Sequence, residues 1–171
     1  MSNFLSFDYP YSSTLNPRLY KIIKENLIDT GKGGAHLTDY FLHKKNIKDV
    51  DVLLEWIKNL IPQVAYDIAK GDEYNGVGFD INAFTIQESW GIHYNKGESV
   101  IKHNHFPYIL AFCYYVNTPK GSSPTILGGK RINPPAGQLI FFQGHIYHEV
   151  LKSKVDGRCV IAGLILYEPN K

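Results

Sequence analysis

Apolar residues in the first half of the chain recur at intervals of three and four; in the second half they form short alternating or continuous runs. Val50, Leu53, Leu54, Ile57, Leu60, Ile61, Val64 and Ile68 make one stripe after Asp49, which predicts an amphipathic helix ending at Gly71. Pro62 within it predicts a kink or a fresh helix start. Upstream, Asn16-Pro17 reads as a helix start, with Leu19, Ile22, Ile23 and Leu27 following at helical spacing. The aromatic stretch 1–13 predicts an edge strand, since Pro10 bars it from a sheet centre. Gly31-Lys32-Gly33-Gly34 is a flexible turn, and it lacks the Gly-Lys-Ser/Thr ending of a phosphate loop.

From residue 79 onward the pattern becomes extended. Stretches 79–95, 99–116, 138–142, 145–151 and 158–167 read as strands, separated by a loop over Thr118–Pro124 and a turn over Ser153–Gly157. Helices first and strands after, without βαβ alternation, argue against a doubly wound parallel sheet. The expected fold is mainly β with N-terminal helices: a double-stranded β-helix (a jelly-roll, cupin-like barrel) backed by a helical layer. The expected organisation is one domain over 1–171, with a mostly helical support layer in 1–78 and the barrel, together with any functional site, in 79–171.

Composition narrows the function. The 171 residues are 44% hydrophobic, with 12 Tyr and 9 Phe, enough for one aromatic-rich core. A formal net charge of +2 gives no electrostatic ground for a nucleic-acid partner. Lys44-Lys45 and Lys130-Arg131 are short solvated patches. Cys113 and Cys159 lie in apolar runs without CxxC spacing and read as buried thiols. The N-terminus has no signal-peptide pattern and no apolar run reaches membrane-spanning length. The expected location is the cytoplasm.

The chemistry-bearing residues lie in the second half. His103 and His105 are two apart, so on an extended strand both rings project to one side and can share a divalent metal. His148 has the parity of Ile146 and Val150 and is the preferred third ligand; His145 points the other way, as a polar residue near the mouth that supports the ligands. Arg158 follows the Asp156-Gly157 turn and opens the most apolar strand, where it must meet an anion if buried. Pairing with Asp156 or with solvent at a hairpin end explains its position equally well. Tyr115 shares the parity of His105, Cys113 and Ala111 and would reach across a pocket, while Tyr94 lies on a flanking strand. His36, His43 and His93 are read as structural or surface residues.

Together these residues resemble the iron(II)- and 2-oxoglutarate-dependent dioxygenases, in particular the small bacterial and phage oxygenases of the prolyl-hydroxylase-like branch. The resemblance rests on Trp90, His103-Asn104-His105, the apolar run Leu110–Val116 with Tyr114-Tyr115, the Gly-containing stretch from Pro135 to His148, and Arg158, with the helix 50–68 as the backing layer. It implies iron held by His103, His105 and His148. Arg158 would grip the distal carboxylate of 2-oxoglutarate, helped by Tyr115 or Tyr94, and Trp90 would stand beside the ligands with His145. It implies oxidative decarboxylation to succinate coupled to hydroxylation of a C–H bond of a small-molecule or peptide substrate, in the host cytoplasm for a viral protein; peptidyl proline is suggested by the branch alone. The chain departs from the usual two-histidine, one-carboxylate site at His105, and neither Glu98 nor Glu149 is placed to substitute. His105 is read as a variant ligand. Two alternatives stay open: a three-histidine cupin-type dioxygenase that does not use 2-oxoglutarate, and a non-catalytic jelly-roll binding module.

Overall fold

The computed structural model describes residues 4–71, 80 and 83–169. In chain order the elements are β1 (Leu5–Asp8), α1 (Ser12–Glu25), β2 (Asp29–Thr30), β3 (His36–Leu37), a 3-10 turn (Leu42–Lys44) and α2 (Lys48–Gly71). There follow β4 (Phe84–Tyr94), β5 (Val100–His103), β6 (Leu110–Asn117), β7 (Thr125–Leu127), β8 (Lys130–Ile132), β9 (Gln138–Gln143), β10 (His148–Val150) and β11 (Arg158–Tyr167).

The strands form two antiparallel sheets. The larger has the order β1-β9-β6-β11-β4-β3-β2 and the smaller β5-β10-β7-β8. Strand alternation sends each strand's side chains to two different places. On β6, Leu110, Phe112, Tyr114 and Val116 join a core with Leu15, Leu19 and Ile23 of α1 and Leu53, Ile57 and Val64 of α2. Ala111 and Tyr115 instead face a second core with Trp90, Ile92 and Tyr94 of β4, Ile140 and Phe142 of β9, and Leu127 and Val150 of the smaller sheet. The helices therefore back the larger sheet, and the two sheets enclose the second core between them. This is the jelly-roll arrangement expected from the sequence.

Several expected boundaries move. Helix α1 begins at Ser12, not at Asn16-Pro17, and carries Pro17 inside it. Asn16 is no cap. It is buried and accepts a hydrogen bond of 2.6 Å from the Tyr114 hydroxyl, which pins α1 to the sheet. Helix α2 runs without interruption through Pro62. The stretch 99–116 is not one strand: 104–109 turn the chain, so that β5 enters the smaller sheet and β6 the larger. Likewise 144–147 turn before β10, which covers only His148–Val150. The β7–β8 hairpin was not expected, although Leu127-Gly128-Gly129-Lys130 carries a Gly-Gly turn signal. Of the expected strand 79–95, residues 79, 81 and 82 lie outside the described residues. β1 does occupy the sheet edge, paired with β9, and strands from the first forty residues extend the larger sheet at both ends.

Candidate metal centre

His103 ends β5 and His148 opens β10, and the two are direct cross-strand partners. His105 lies two residues beyond the end of β5. Its backbone N–H donates to the Gly144 carbonyl at 2.7 Å, and the Gly144 N–H donates to the Ile109 carbonyl at 3.1 Å, so the turns before β6 and β10 are laced together. The three rings converge. Their centroids lie 4.9 Å (His103–His105), 4.3 Å (His103–His148) and 4.9 Å (His105–His148) apart. One nitrogen from each falls within 4.8 Å of the others. Two nitrogens on one metal, each bonded at about 2.1 Å, are at most roughly 4 Å apart, so small ring movements close the set on a cation.

The hydrogen bonds fix which nitrogens are available. His103 Nδ1 lies 2.8 Å from the Ile101 carbonyl, and His148 Nδ1 lies 3.1 Å from the Ile146 carbonyl. A carbonyl only accepts, so both Nδ1 atoms carry the proton and both Nε2 lone pairs are free. Burial, with the neighbouring histidines adding to it, pushes His105 down to about 3 and His148 down to about 4. Both imidazoles are therefore neutral at physiological pH, the form a metal needs. Trp90 packs against His105 with centroids 6.1 Å apart, and Phe142 packs against His148 at 4.9 Å. Among the described residues the cluster contains no carboxylate. Glu98 is engaged with Asn95 and His36.

Arg158 is 2% exposed. It does not pair with Asp156, whose carboxylate accepts the Lys96 backbone N–H at 2.7 Å. Arg158 Nη2 donates to Thr125 Oγ1 at 3.0 Å, and Nη1 is buried without a hydrogen-bond partner. Its guanidinium lies over the Tyr94 ring at 4.4 Å and the Tyr115 ring at 5.5 Å. Tyr115 and Thr125 hydroxyls are bonded at 2.9 Å. Burial raises the Tyr94 and Tyr115 phenols above their ordinary range, so they remain protonated. A buried cation with an unused donor and no carboxylate among the described residues is incomplete on its own. The three histidines, Tyr94, Tyr115 and Arg158 line one cavity of about 330 Å³. The residues present thus suit a divalent metal at the imidazoles and an anion at the guanidinium.

Other histidines stand elsewhere. His145 is exposed on its turn and does not line the cavity, because 144–147 are not extended; only its carbonyl is engaged, by Asn104 Nδ2 at 3.4 Å. His93 faces α1, with Nε2 3.1 Å from the Tyr20 hydroxyl. His36 meets Glu98 and His43 meets Ser89. Thr125 was missed from the sequence. Reading the Gly-Gly hairpin would have put it on a strand opposite Ile132; the long-range pairing of that strand with β10, which sets Thr125 opposite Val150 beside the cavity, has no local signal.

No family model matches the chain, and no curated protein matches it. Solved structures do. A Pseudomonas putida prolyl-4-hydroxylase aligns over 97% of this chain and 93% of its own, at 16% identity and a TM-score of 0.68. The viral collagen prolyl hydroxylase of Paramecium Bursaria Chlorella virus-1, in its 2OG complex, aligns over 96% of both chains at 14% identity and a TM-score of 0.67. A Trichoplax adhaerens prolyl hydroxylase, in complex with a hypoxia inducible factor peptide fragment, covers 98% of this chain and 84% of its own at 13% identity and a TM-score of 0.67. The fold is that of the 2OG-Fe(II) oxygenase structures, prolyl hydroxylases among them. At these identities, fold is what the likeness shows.

Proposed function

We propose that the protein is an iron(II)- and 2-oxoglutarate-dependent dioxygenase that hydroxylates a C–H bond of a peptide or small molecule. One observation carries the reading: three converging imidazoles and a buried guanidinium with an unpaired Nη1 share a single cavity. His103, His105 and His148 would hold the iron. When bound, the iron supplies oxygen activation, coupling decarboxylation of 2-oxoglutarate to succinate with oxidation of the substrate. The protein's residues do the rest. Arg158 receives the distal carboxylate on Nη1 while Thr125 keeps the guanidinium plane fixed through Nη2. Tyr94 and Tyr115, held as neutral phenols, wall the anion site and exclude water. The Ile101 and Ile146 carbonyls hold two ring tautomers in the ligating form. The Trichoplax relative, solved with a peptide, supports a peptide as one substrate class. Free thiols at Cys113 and Cys159 fit a reducing cytoplasm; no helix among the described residues is long and apolar enough to cross a membrane.

The test is metal analysis with succinate production from 2-oxoglutarate, on wild type and His148→Ala. Wild type should show slow uncoupled turnover and the variant none. Equal turnover in both removes His148 from the mechanism. Anaerobic titration of the iron(II) protein with 2-oxoglutarate separates this reading from a three-histidine dioxygenase without cosubstrate: a new metal-to-ligand visible band supports the first, and an unchanged spectrum supports the second.

A further inference from the structure

Alternate residues of β4 form one wall of the cavity: Glu88, Trp90, Ile92 and Tyr94. The wall has two charged ends. Tyr94 lies under the Arg158 guanidinium, while Glu88 is six residues away along the strand, roughly 20 Å at a strand's rise. Glu88 Oε1 accepts the Tyr108 hydroxyl at 3.1 Å, and among the described residues no cation pairs with it. It is half-buried, in an otherwise largely apolar cavity, where an unpaired carboxylate is costly. Aromatic residues share the cavity with it. Tyr40 also lines the cavity, is 46% exposed, and its ring centroid is 5.0 Å from that of Trp90 at a 58° tilt. Trp90 in turn packs on His105.

A carboxylate and two aromatic rings lining one cavity can receive a cation: the acid supplies the counter-charge and the ring faces supply cation–π attraction. We propose that Glu88, Trp90 and Tyr40 select a substrate bearing an organic ammonium at the end of an alkyl chain, either a primary amine or its methylated form. The assignment rests on the oxygenase reading for the reaction, though not for the binding. Along the wall Trp90 follows Glu88 on the same face of β4, and its ring packs on His105. An alkylammonium seated on Glu88 therefore presents its methylene groups, not its nitrogen, to the imidazoles. Those methylenes carry the C–H bonds available for oxidation. Arg158, at the far end of the wall, keeps the cation away from the anion site by like-charge repulsion.

Binding is read without turnover. The two tryptophans, Trp56 and Trp90, give two indole N–H signals in a nitrogen-15 correlation spectrum, assigned with Trp56→Phe. The probes are capped lysine, capped Nε-trimethyllysine and capped norleucine, which share a backbone and differ in charge. The two cationic probes should shift the Trp90 signal saturably, and norleucine should not at the same concentrations. Glu88→Gln keeps an acceptor for Tyr108 and should weaken the cationic probes at least tenfold. Tyr40→Leu should weaken trimethyllysine more than lysine. Equal shifts by norleucine, or unchanged affinity in Glu88→Gln, overturn the proposal. Failure of succinate production, measured separately, would instead strike the oxygenase reading and leave this titration standing.

Discussion

Replacing Arg158 by methionine should move stability and ligand response in opposite directions. The guanidinium is nearly fully buried, bonded once to Thr125 and stacked on Tyr94, with Nη1 unpartnered. Removing it forfeits one charge-assisted hydrogen bond, about 1.5–3 kcal/mol, and the cation–π contacts with Tyr94 and Tyr115, about 2 kcal/mol or more when desolvated. It also removes a burial penalty of several kcal/mol for an ion without a counter-ion, which a well-fitting apolar side chain does not incur. Thr125 is not stranded, because its hydroxyl stays bonded to Tyr115. The two sides nearly cancel, and replacement of buried ionic groups by well-packed apolar side chains is neutral to stabilising by about 1–4 kcal/mol; a gain of about 1–2 kcal/mol raises the melting temperature of a chain of this size by roughly 2–8 °C.

Ligand response should go the other way. Losing one partner of a buried, hydrogen-bonded charge pair costs about 2–5 kcal/mol, or about thirty-fold to several thousand-fold in affinity. The assay is thermal melting with manganese(II) as a redox-inert metal, with and without 2-oxoglutarate. At a hundred times its dissociation constant 2-oxoglutarate should stabilise wild type by about 2.7 kcal/mol; at that concentration Arg158→Met should show a small fraction of the shift. An Arg158→Met protein that melts lower than wild type and still responds fully to 2-oxoglutarate refutes the reasoning on both counts.

Other outcomes follow from the same geometry. Gly144→Ala places a Cβ against the Tyr108 carbonyl, which is backbone and cannot step aside, so it should displace the turns carrying His105 and His148 and lower metal affinity, read by metal titration. Tyr114→Phe removes a buried hydrogen bond to Asn16 and should cost about 1–2 kcal/mol in urea unfolding without altering metal content. Burial, helped by nearby lysines, holds His43 and His93 below the ordinary imidazole range. The unfolded chain takes up these protons below about pH 6.5 while the folded chain resists. Their stabilising effect is thus complete above that pH and declines as pH falls toward the folded values. The urea midpoint should drop between pH 7.5 and 5, and His93→Gln should drop less.

The sequence made the site more legible than the path between its parts. His103, His105 and His148 could be grouped because parity along a strand is local, and because His148 keeps company with Ile146 and Val150. The grouping survives although His105 is not on a strand at all. The Gly144 backbone bonds, which no side-chain pattern reports, bring its ring to the other two. Arg158 was ambiguous for a physical reason: whether Asp156 pairs with it depends on which way the turn directs that carboxylate, and Lys96 captures it instead. The start of α1 was misplaced because Asn16-Pro17 matches a cap motif, yet Asn16 is committed to Tyr114, a partner 98 residues away. Glu88 and Tyr40 carry no motif. Their meaning comes only from the wall they share with Trp90.

That wall depends on register. Arg158 pairs with Tyr94 and Leu164 with Glu88 across the β11–β4 ladder, so the cationic and anionic ends of the cavity are set by one pairing. The opposite face of β4 cannot exchange with it. Gly91 has no room for a side chain, since a Cβ there would lie 2.7 Å from Ile23 of α1, and the Ser89 hydroxyl accepts the His43 backbone N–H at 2.9 Å. A slip of one residue would turn Trp90 and Ile92 into α1 and bring Ser89, Gly91 and His93 into the cavity, exchanging every side chain of the wall at once. The small residues that let α1 lie close to β4 therefore also fix which chemistry faces the histidines. In this chain the helix-facing half of a strand specifies the site on its other half.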